Sequence, residues 1–354
     1  MKSIKNKFKT LGTVLILLLF MSNGFATEYT KTTSKSFDVK SGALLDIKAE
    51  FGEIKAHNWD KQKISIEVTI SVDAYSQSKA DDRFEKIELE INGTKDLVSI
   101  ISQIESGFFN KSSNKINIDF LIYYPSNCRL KLNLEFGSAF FENIDGSTDI
   151  DVEYGSFNAN RLSSAENQIE ISFGKFQVKE ITTADIDVDY GGCEIEQAKT
   201  LNLHTSFSGN VNIEKVDDLI LKSAYDKVSI GEAKNVSGSV QFTSFTIQSI
   251  LENLKMKTAY GSFKVYSIAS DFELIDLKSE FCSLKLYVDP TSSFTFYTDV
   301  ELGSFKYPKE KVTITNFQKD VTDLMMEGYF GSKEKTKGHM RLSVDNASAN
   351  INIK

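Results

Sequence analysis

The chain has 354 residues and a net charge of −8, with 41 basic and 49 acidic side chains. This acidic balance argues against a protein that binds nucleic acid or anionic membrane surfaces. Proline occurs only three times, whereas phenylalanine occurs 26 times. A chain that is poor in proline and rich in aromatic and β-branched residues is typical of β-sheet proteins.

The first 26 residues have the pattern of a secretory signal peptide. Lysines near the start precede an apolar run, Leu11–Met21, which is shorter than the ~20 residues that span a bilayer. Gly24 and Ala26 are small residues of the kind that precede a cleavage point. We therefore expect residues 1–26 to be removed and the protein to be exported, to the periplasm or to the cell surface, with no later membrane span.

Residues 27–125 are predicted to form a less regular β region that caps the repeats described next. The segment 76–88 predicts the one helix of the chain. The segment 88–106 predicts a β-hairpin that turns at Asn92 and Gly93.

A repeat of about 18 residues fills 126–310. Each copy has alternating apolar residues, an aromatic residue, a glycine or small polar residue, and a second apolar alternation. Phe and Tyr alternate at the aromatic position: Phe136, Tyr154, Phe173, Tyr190, Phe207, Tyr225, Phe242, Tyr260 and Phe281, with Leu302 as a tenth position and Phe51 as an early copy. The pattern predicts an all-β fold, a right-handed parallel β-solenoid or β-helix of roughly ten short rungs, closed by capping strands over 311–354. It leaves open whether one or two aromatic positions make one turn.

The aromatic position is predicted to be the corner of each rung. Leu132, Leu134 and Phe136 alternate with polar residues and should share one buried face, so stacking is expected to bury a continuous aromatic column. Glycine after the aromatic residue, as in Tyr154-Gly155, lets the chain bend where a Cβ would be crowded. The recurrent EYGSF-like segments therefore indicate architecture and not a catalytic site.

The three cysteines, Cys128, Cys193 and Cys282, have no zinc-site spacing and, being odd in number, cannot all be paired. In a solenoid, Cys193 and Cys282 would lie five rungs apart, or about 24 Å at ~4.8 Å per strand. We expect no disulfide between them and buried, inert thiols.

Outward-facing charges are predicted to line up where rungs stack in register. The acidic surface ladder comprises Glu135, Asp151, Glu153, Glu170, Asp187 and Asp189, and a basic ladder covers 222–278. Closely spaced carboxylates could recruit Ca2+, which takes about 6–8 oxygen ligands, but the chain has no calcium-loop motif. A solvated strand face is the simpler interpretation, and no other cofactor or metal is indicated.

No catalytic motif accompanies these charges. The chain has no GxSxG, HExxH or phosphate-loop sequence, and His57, His204 and His339 are far apart. A polysaccharide hydrolase needs a defined pair of carboxyl groups, and the acidic ladder singles out none. We therefore expect a protein that is not an enzyme.

The sequence resembles a known bacterial family. The segment FDVKSGALLDIKAEFGEIKAHNWD at 37–60, the junction IDFLIYYPSNCRLKLNLEFGS at 118–138 and the serial [Phe/Tyr]-Gly rungs are similar to the putative-adhesin domains of unknown function, also called toast-rack domains. They are also similar to auto-transporter adhesin head domains. The resemblance covers most of 36–354 and implies a β-solenoid, a cell-envelope location and no established catalytic residues. Later rungs depart from the pattern because another residue replaces the glycine: Ser208, Asp226, Thr243 and Cys282.

These observations predict an exported, non-enzymatic, adhesin-like binding or scaffold protein of the bacterial cell envelope. Its partner would be a glycan or a protein. Two alternatives stay open: a carbohydrate-active enzyme on a β-helix scaffold, and a periplasmic component of envelope-stress sensing or signalling.

Overall fold

The computed structural model of the chain describes residues 27–106, 108 and 115–354. The expected signal peptide lies outside the described residues. Those residues form one short α-helix, single-turn 3₁₀-helices such as Lys309–Lys311, and 19 strands, and all the strands belong to a single hydrogen-bonded sheet that is mostly parallel. The prediction of an all-β, solenoid-type fold is confirmed.

The N-terminal region adds strands to the edges of the first coil. Its elements are β1 (Thr27–Asp38), β2 (Leu44–Asn58), β3 (Lys63–Ala74), helix α1 (Gln77–Phe84), β4 (Ile87–Gly93), β5 (Leu97–Ile104) and β6 (Ile116–Tyr124). The first half of β2 pairs in parallel with β5, and its second half pairs in parallel with β6. Antiparallel strands then cover these two: β4 covers β5, and β3 followed by β1 covers β6. The first coil is therefore paired on this side, and β1 and β4 are the outer edge strands of the sheet.

The predicted helix and hairpin are both present. Ser76 is the N-cap of α1, and its hydroxyl accepts a hydrogen bond from the amide of Lys79. The hairpin consists of β4 and β5, but Asn92 and Gly93 still pair within the ladder. The turn lies just beyond them, where Thr94 Oγ1 accepts two backbone N–H hydrogen bonds.

The repeats form coils of two arms, with one aromatic position per coil. The strands are β7 (Arg129–Ile144), β8 (Thr148–Leu162), β9 (Asn167–Ser172), β10 (Lys175–Asp189), β11 (Gly192–Gln241), β12 (Ser244–Ile268) and β13 (Leu274–Val288). They pair in parallel along the stack, for example Lys131 with Asp149 and Lys227 with Ser244. These partners are about one repeat apart in the sequence, which settles how many aromatic positions make a turn. We call the strand before each aromatic position the first arm and the strand after it the second arm.

The C-terminal end of the stack is not in chain order. Its strands are β14 (Phe294–Glu301), β15 (Ser304–Lys306), β16 (Val312–Lys319), β17 (Asp323–Phe330), β18 (Gly338–Asp345) and β19 (Ser348–Ile353). Strands β18 and β19 pair in parallel with β13 on one side and with β14 and β15 on the other. The last residues of the chain therefore form the penultimate coil. Strand β17 pairs antiparallel with β14, and β16 pairs with β17.

The hydrophobic core lies between the two arms. Leu132 and Leu134 of the first arm and Phe157 and Phe176 of the second arm are fully buried. Burial of each such side chain stabilises the fold by roughly 1.5–3 kcal/mol. The rings of Phe157 and Phe176 also stack on each other, with centroids 6.0 Å apart. In the regular coils from β7 to β13, the buried aromatic residues of the strands thus belong to the second arm.

The prediction that the corner aromatics are buried is wrong. Their exposed fractions range from 38% at Phe136 to 54% at Tyr190. From Phe173 onwards the corner residues have φ near +50°, a left-handed conformation that is rare for bulky side chains. Because the alternation of a strand stops at such a residue, the side chain points out of the coil and not into it.

The glycine after the aromatic residue is required by close stacking of the coils. A Cβ built on Gly155 would lie 1.7 Å from the carbonyl oxygen of Gly137 in the preceding coil. Where glycine is replaced, as at Ser208, Asp226, Thr243 and Cys282, the side chain points inward and is buried. The later corners therefore differ from the earlier ones, as their sequence predicts.

Candidate binding surfaces

An exposed aromatic column runs along the corner of the stack. It consists of nine exposed rings: Phe136, Tyr154, Phe173, Tyr190, Phe207, Tyr225, Phe242, Tyr260 and Phe281. Phe51, which is partly buried, stacks on Phe136 at the N-terminal end of the column, with centroids 4.9 Å apart. Adjacent ring centroids are 4.6–5.1 Å apart and the ring planes are within 12° of parallel. Since each ring covers the faces of its neighbours, the column presents ring edges to solvent. It is suited to apolar contact with a long surface and not to stacking on a sugar.

The predicted acidic ladder lies on the first arm, beside the aromatic column. Asp151, Glu170 and Asp187 occupy successive positions in one register. A second row, next to the column, contains Glu135, Glu153 and Asp189. Polar neighbours supply some of the contacts: His204 Nδ1 is 3.1 Å from Asp187 Oδ1, and Asn133 Nδ2 donates to Asp151 Oδ2 at 3.4 Å.

The structure brings the acidic residues into line without forming a metal centre. Within the part of the chain that the structure describes, no three His, Cys, Asp or Glu side chains are grouped so that they could hold a metal ion. The rows of carboxylates face solvent, where water can solvate each of them.

A basic region follows the acidic ladder along the same arm. It consists of Lys222, Lys255, Lys257, Lys278 and Arg341, all exposed. Lys257 and Lys278 are direct partners in the β12–β13 register. Arg341 joins this region because β18 is inserted next to β13, a position that the sequence did not predict.

Sequence reasoning missed a cluster of ring side chains on the second arm at the N-terminal end, which we call the N-terminal aromatic cluster. It contains His57, Trp59, Tyr123, Phe140 and Glu142. Tyr123 lies between Trp59 and His57, with centroid distances of 5.5 Å to Trp59 and 5.8 Å to His57, and Phe140 is 6.2 Å from His57 on the other side. These residues are far apart in the sequence, and only the parallel pairing of β2 with β6 and β7 brings them together.

Glu142 is the acidic member of the N-terminal aromatic cluster. Its carboxylate contacts His57 Nδ1 at 3.0 Å and accepts the backbone N–H of Asn58 at 2.8 Å. The hydrogen bond from His57, followed by that from Asn58, lowers the pKa of Glu142. A carboxyl group with a lowered pKa is ionised at neutral pH and is a poor general acid. Glu142 is therefore better suited to accept hydrogen bonds than to donate a proton.

A buried polar network joins two adjacent coils inside β11. The carboxylate of Asp226 accepts hydrogen bonds from Thr205 Oγ1, Ser223 Oγ and the amide of Ser208, each at 2.6 Å. Every one of these residues is buried. The network has no opening to solvent that a ligand would use, and its role is structural.

The three cysteines are free and buried. Burial raises the pKa of Cys128 to about 11 and that of Cys193 to about 12. Because the thiolate is the reactive form, such thiols are poor nucleophiles at neutral pH.

Comparisons with known proteins add similarities at low identity. No family model matches the chain, and no curated protein matches it.

In the described part of the chain, no helix is long and apolar enough to span a membrane.

Several solved structures are similar to this chain over most of its length. A putative cell adhesion protein from Clostridium sporogenes is 9% identical, with 92% of this chain and 100% of that chain covered and a TM-score of 0.20. A putative adhesin from Bacteroides fragilis is 10% identical, with coverages of 73% and 97% and a TM-score of 0.32. A putative lipid binding protein from Parabacteroides distasonis is 12% identical, with coverages of 72% and 96% and a TM-score of 0.28. TM-scores this low carry no inference about function, which therefore depends on the residues of this chain.

Proposed function

We propose that the protein is an exported, non-enzymatic, adhesin-like binding protein of the bacterial cell envelope. The observation that carries the proposal is the layout of its surface, where side chains repeat in straight rows along the stack. Nine rings at about 5 Å spacing make a row of roughly 40 Å. Solenoid proteins use such extended surfaces to bind long or large partners.

The partner is a glycan or a protein of the envelope or of a neighbouring surface. The N-terminal aromatic cluster is the best anchor for it, because its rings are partly exposed and tilted. Trp59 and Tyr123 offer apolar ring area, and Glu142 and His57 lie beside them as hydrogen-bonding groups. Binding sites and interface hot spots commonly combine aromatic anchors with a few polar groups.

Binding to arrays of purified bacterial and host polysaccharides, and to detergent-solubilised envelope proteins, tests the anchor. The double variant Trp59→Ala, Tyr123→Ala is expected to lose at least tenfold in affinity for the best binder. The matched control is Tyr75→Ala, which removes a ring that is 66% exposed but lies outside the cluster. Equal binding by the double variant and the native protein would contradict the proposal.

The same incubations test the two alternatives. Release of new reducing ends from a polysaccharide, abolished by Glu142→Gln, would favour a carbohydrate-active enzyme.

Protease treatment of intact cells, with a periplasmic protein as control, tests location. Cleavage of this chain while the control survives supports a surface adhesin, and full protection would favour a periplasmic envelope-stress or signalling role.

A further inference from the structure

The charges of the first arm are segregated in a way that is unfavourable within one molecule. Glu170 lies in register with Asp187, and Lys257 with Lys278, and like charges on directly opposite strand positions are destabilising. In the described part of the chain, the only lysine or arginine ion pair on this arm's outward face among the residues from 131 to 278 is Lys131–Asp149, and His204 Nδ1 lies 3.1 Å from Asp187 Oδ1.

The second arm and the adjoining turns follow the opposite rule. There the one-coil spacing places unlike charges together, as in Lys175–Glu194 at 3.0 Å, Lys215–Glu232 at 2.8 Å and Lys234–Asp217 at 3.0 Å. The repeat is therefore able to pair its own charges. On the first arm it keeps acidic and basic residues apart, which leaves both available to something outside the coil.

The aromatic column supplies apolar area along the border of this face. Aromatic side chains carry about 150–250 Å² each, so nine rings that are 38–54% exposed present roughly 800 Å². Monomeric proteins rarely expose an apolar patch larger than about 600 Å², and a standard interface buries about 800 Å² per partner.

We propose that the protein forms an antiparallel dimer through the first arm and the aromatic column. Consider a twofold axis that is perpendicular to the stack and parallel to the strands. It reverses the order of the coils in the second copy but keeps the two aromatic columns on the same border, so each acidic region meets a basic one. A twofold axis along the stack would instead place acidic on acidic residues. The face is thus complementary to a second copy in one orientation only.

One register brings all nine rings of each copy opposite the nine rings of the other, with the twofold axis at Phe207. Coil by coil, this register places unlike charges opposite each other: Asp187 with Lys222, Asp151 with Lys257, Asp149 with Lys255, Lys131 with Asp276 and Asp46 with Arg341. Lys131, a basic residue in the acidic region, and Asp276, an acidic residue in the basic region, also meet as an unlike pair. Two like-charged pairs remain beside the column, Glu135 with Glu280 and Glu50 with Asp345.

Sedimentation of the purified protein up to about 100 µM tests the dimer, and paired charge reversals test its orientation. The double variants are Lys222→Asp with Lys257→Asp, and Asp151→Lys with Asp187→Lys. Each is expected to be monomeric, because each turns the Asp187–Lys222 and Asp151–Lys257 pairs into like-charged pairs. Mixed in equal amounts, they should form a heterodimer, since every altered pair is again opposite in charge. The control Lys227→Asp, Lys285→Asp makes the same charge change on the second arm and should dimerise like the native protein.

A carbodiimide, which joins a carboxylate directly to an amine, then reports the register. Within one chain, Asp151 and Lys257 lie six coils apart, or roughly 29 Å, so a cross-link between them has to join two copies. We expect this link in the native dimer. Its absence while other intermolecular links form would overturn the antiparallel register.

The aromatic column has its own variant. In the double variant Phe207→Asn, Tyr225→Asn, asparagine replaces both rings because it tolerates positive φ. This variant is expected to weaken dimerisation at least tenfold. The control Phe317→Asn removes an exposed ring away from the column and should not weaken it. A native protein that stays monomeric would overturn the proposal. If the protein instead cosediments with zwitterionic lipid vesicles, and the double variant does not, the column binds a lipid surface. Because the N-terminal aromatic cluster is on the other arm, failure of the dimer and failure of the proposed function are separate results.

Discussion

At the scale of single residues, the corner of each coil decides what the molecule shows to solvent. Period-two alternation predicts correctly that Leu132 and Leu134 face the core, but it fails one step later at Phe136. Alternation assumes a regular extended strand. At Phe136 and Tyr154 the glutamate before the ring and the ring itself are both exposed, and from Phe173 onwards the corner residue has a left-handed φ. No local pattern in the sequence reveals where the alternation breaks, so it does not predict the exposed column.

The corner glycines provide a direct test of coil spacing. Gly155→Ala is expected to lower the free energy of unfolding by about 3 kcal/mol or more, because its Cβ would overlap the Gly137 carbonyl oxygen. Gly192→Ala is the control, since the nearest atoms to its Cβ are 3.7 and 3.8 Å away, and should change stability by less than about 1 kcal/mol. Urea denaturation measures both, and equal effects would mean that the coils adjust their separation freely.

Glu142 predicts a small dependence of stability on pH. Its pKa is lowered in the folded protein, so it stabilises the fold above the unfolded carboxyl pKa, about 4.3, and the contribution is lost as the pH falls through the folded value. Glu142→Gln should reduce the free energy of unfolding at pH 7 by less than about 1 kcal/mol, because the side chain is a third exposed. The difference should vanish once the pH is below the lowered folded-state pKa of Glu142, and a difference that persists in acid would trace the effect to the shape of the amide.

At the scale of elements, β11 shows how a coil can hold a polar group in its core. The replacement of glycine by Asp226 is readable in the sequence, but the inward direction of its side chain and its three hydrogen-bond donors are not. The N-terminal aromatic cluster has the same origin: strands distant in the sequence bring its members together. The sequence thus predicts which elements exist far better than which side chains from different elements meet.

The Asp226 network should be sensitive to loss of the carboxylate. Asp226→Asn turns one acceptor into a donor that faces hydroxyl and amide donors, so we expect a loss of about 2–4 kcal/mol in the free energy of unfolding. The same substitution at the exposed Asp271 should cost less than about 0.5 kcal/mol. A loss below about 1 kcal/mol at Asp226 would show that the network does not depend on its charge.

At the scale of the whole molecule, the stack depends on its last strands. Repeat spacing predicts the number and order of coils as far as β13, but the sequence offers no signal that β18 and β19 are inserted before β14 and β15. Without the inserted coil, β13 and β14 would each be left as an open sheet edge. Open edges promote aggregation.

Truncation tests this dependence. Removal of residues 338–354 is expected to abolish a single cooperative thermal transition and to cause concentration-dependent aggregation, because β13 and β14 lose their shared partner. Removal of residues 27–38 takes away only β1, an exposed edge strand paired with β3, and should lower the melting temperature modestly. Calorimetry and light scattering distinguish the two, and a truncated chain that melts like the native protein would show that β13 and β14 can pair directly.

The inserted coil also sets an order in time. Coils that follow one another in the chain can add one by one as the polypeptide is made, but this process has to pause at β13. Strands β14 to β17 emerge next and have no place to dock until residues 338–353 have appeared. The far end of the stack is therefore completed last and all at once, so a chain interrupted shortly before its end would carry an unfinished, adhesive strand edge at which chaperones or proteases would act.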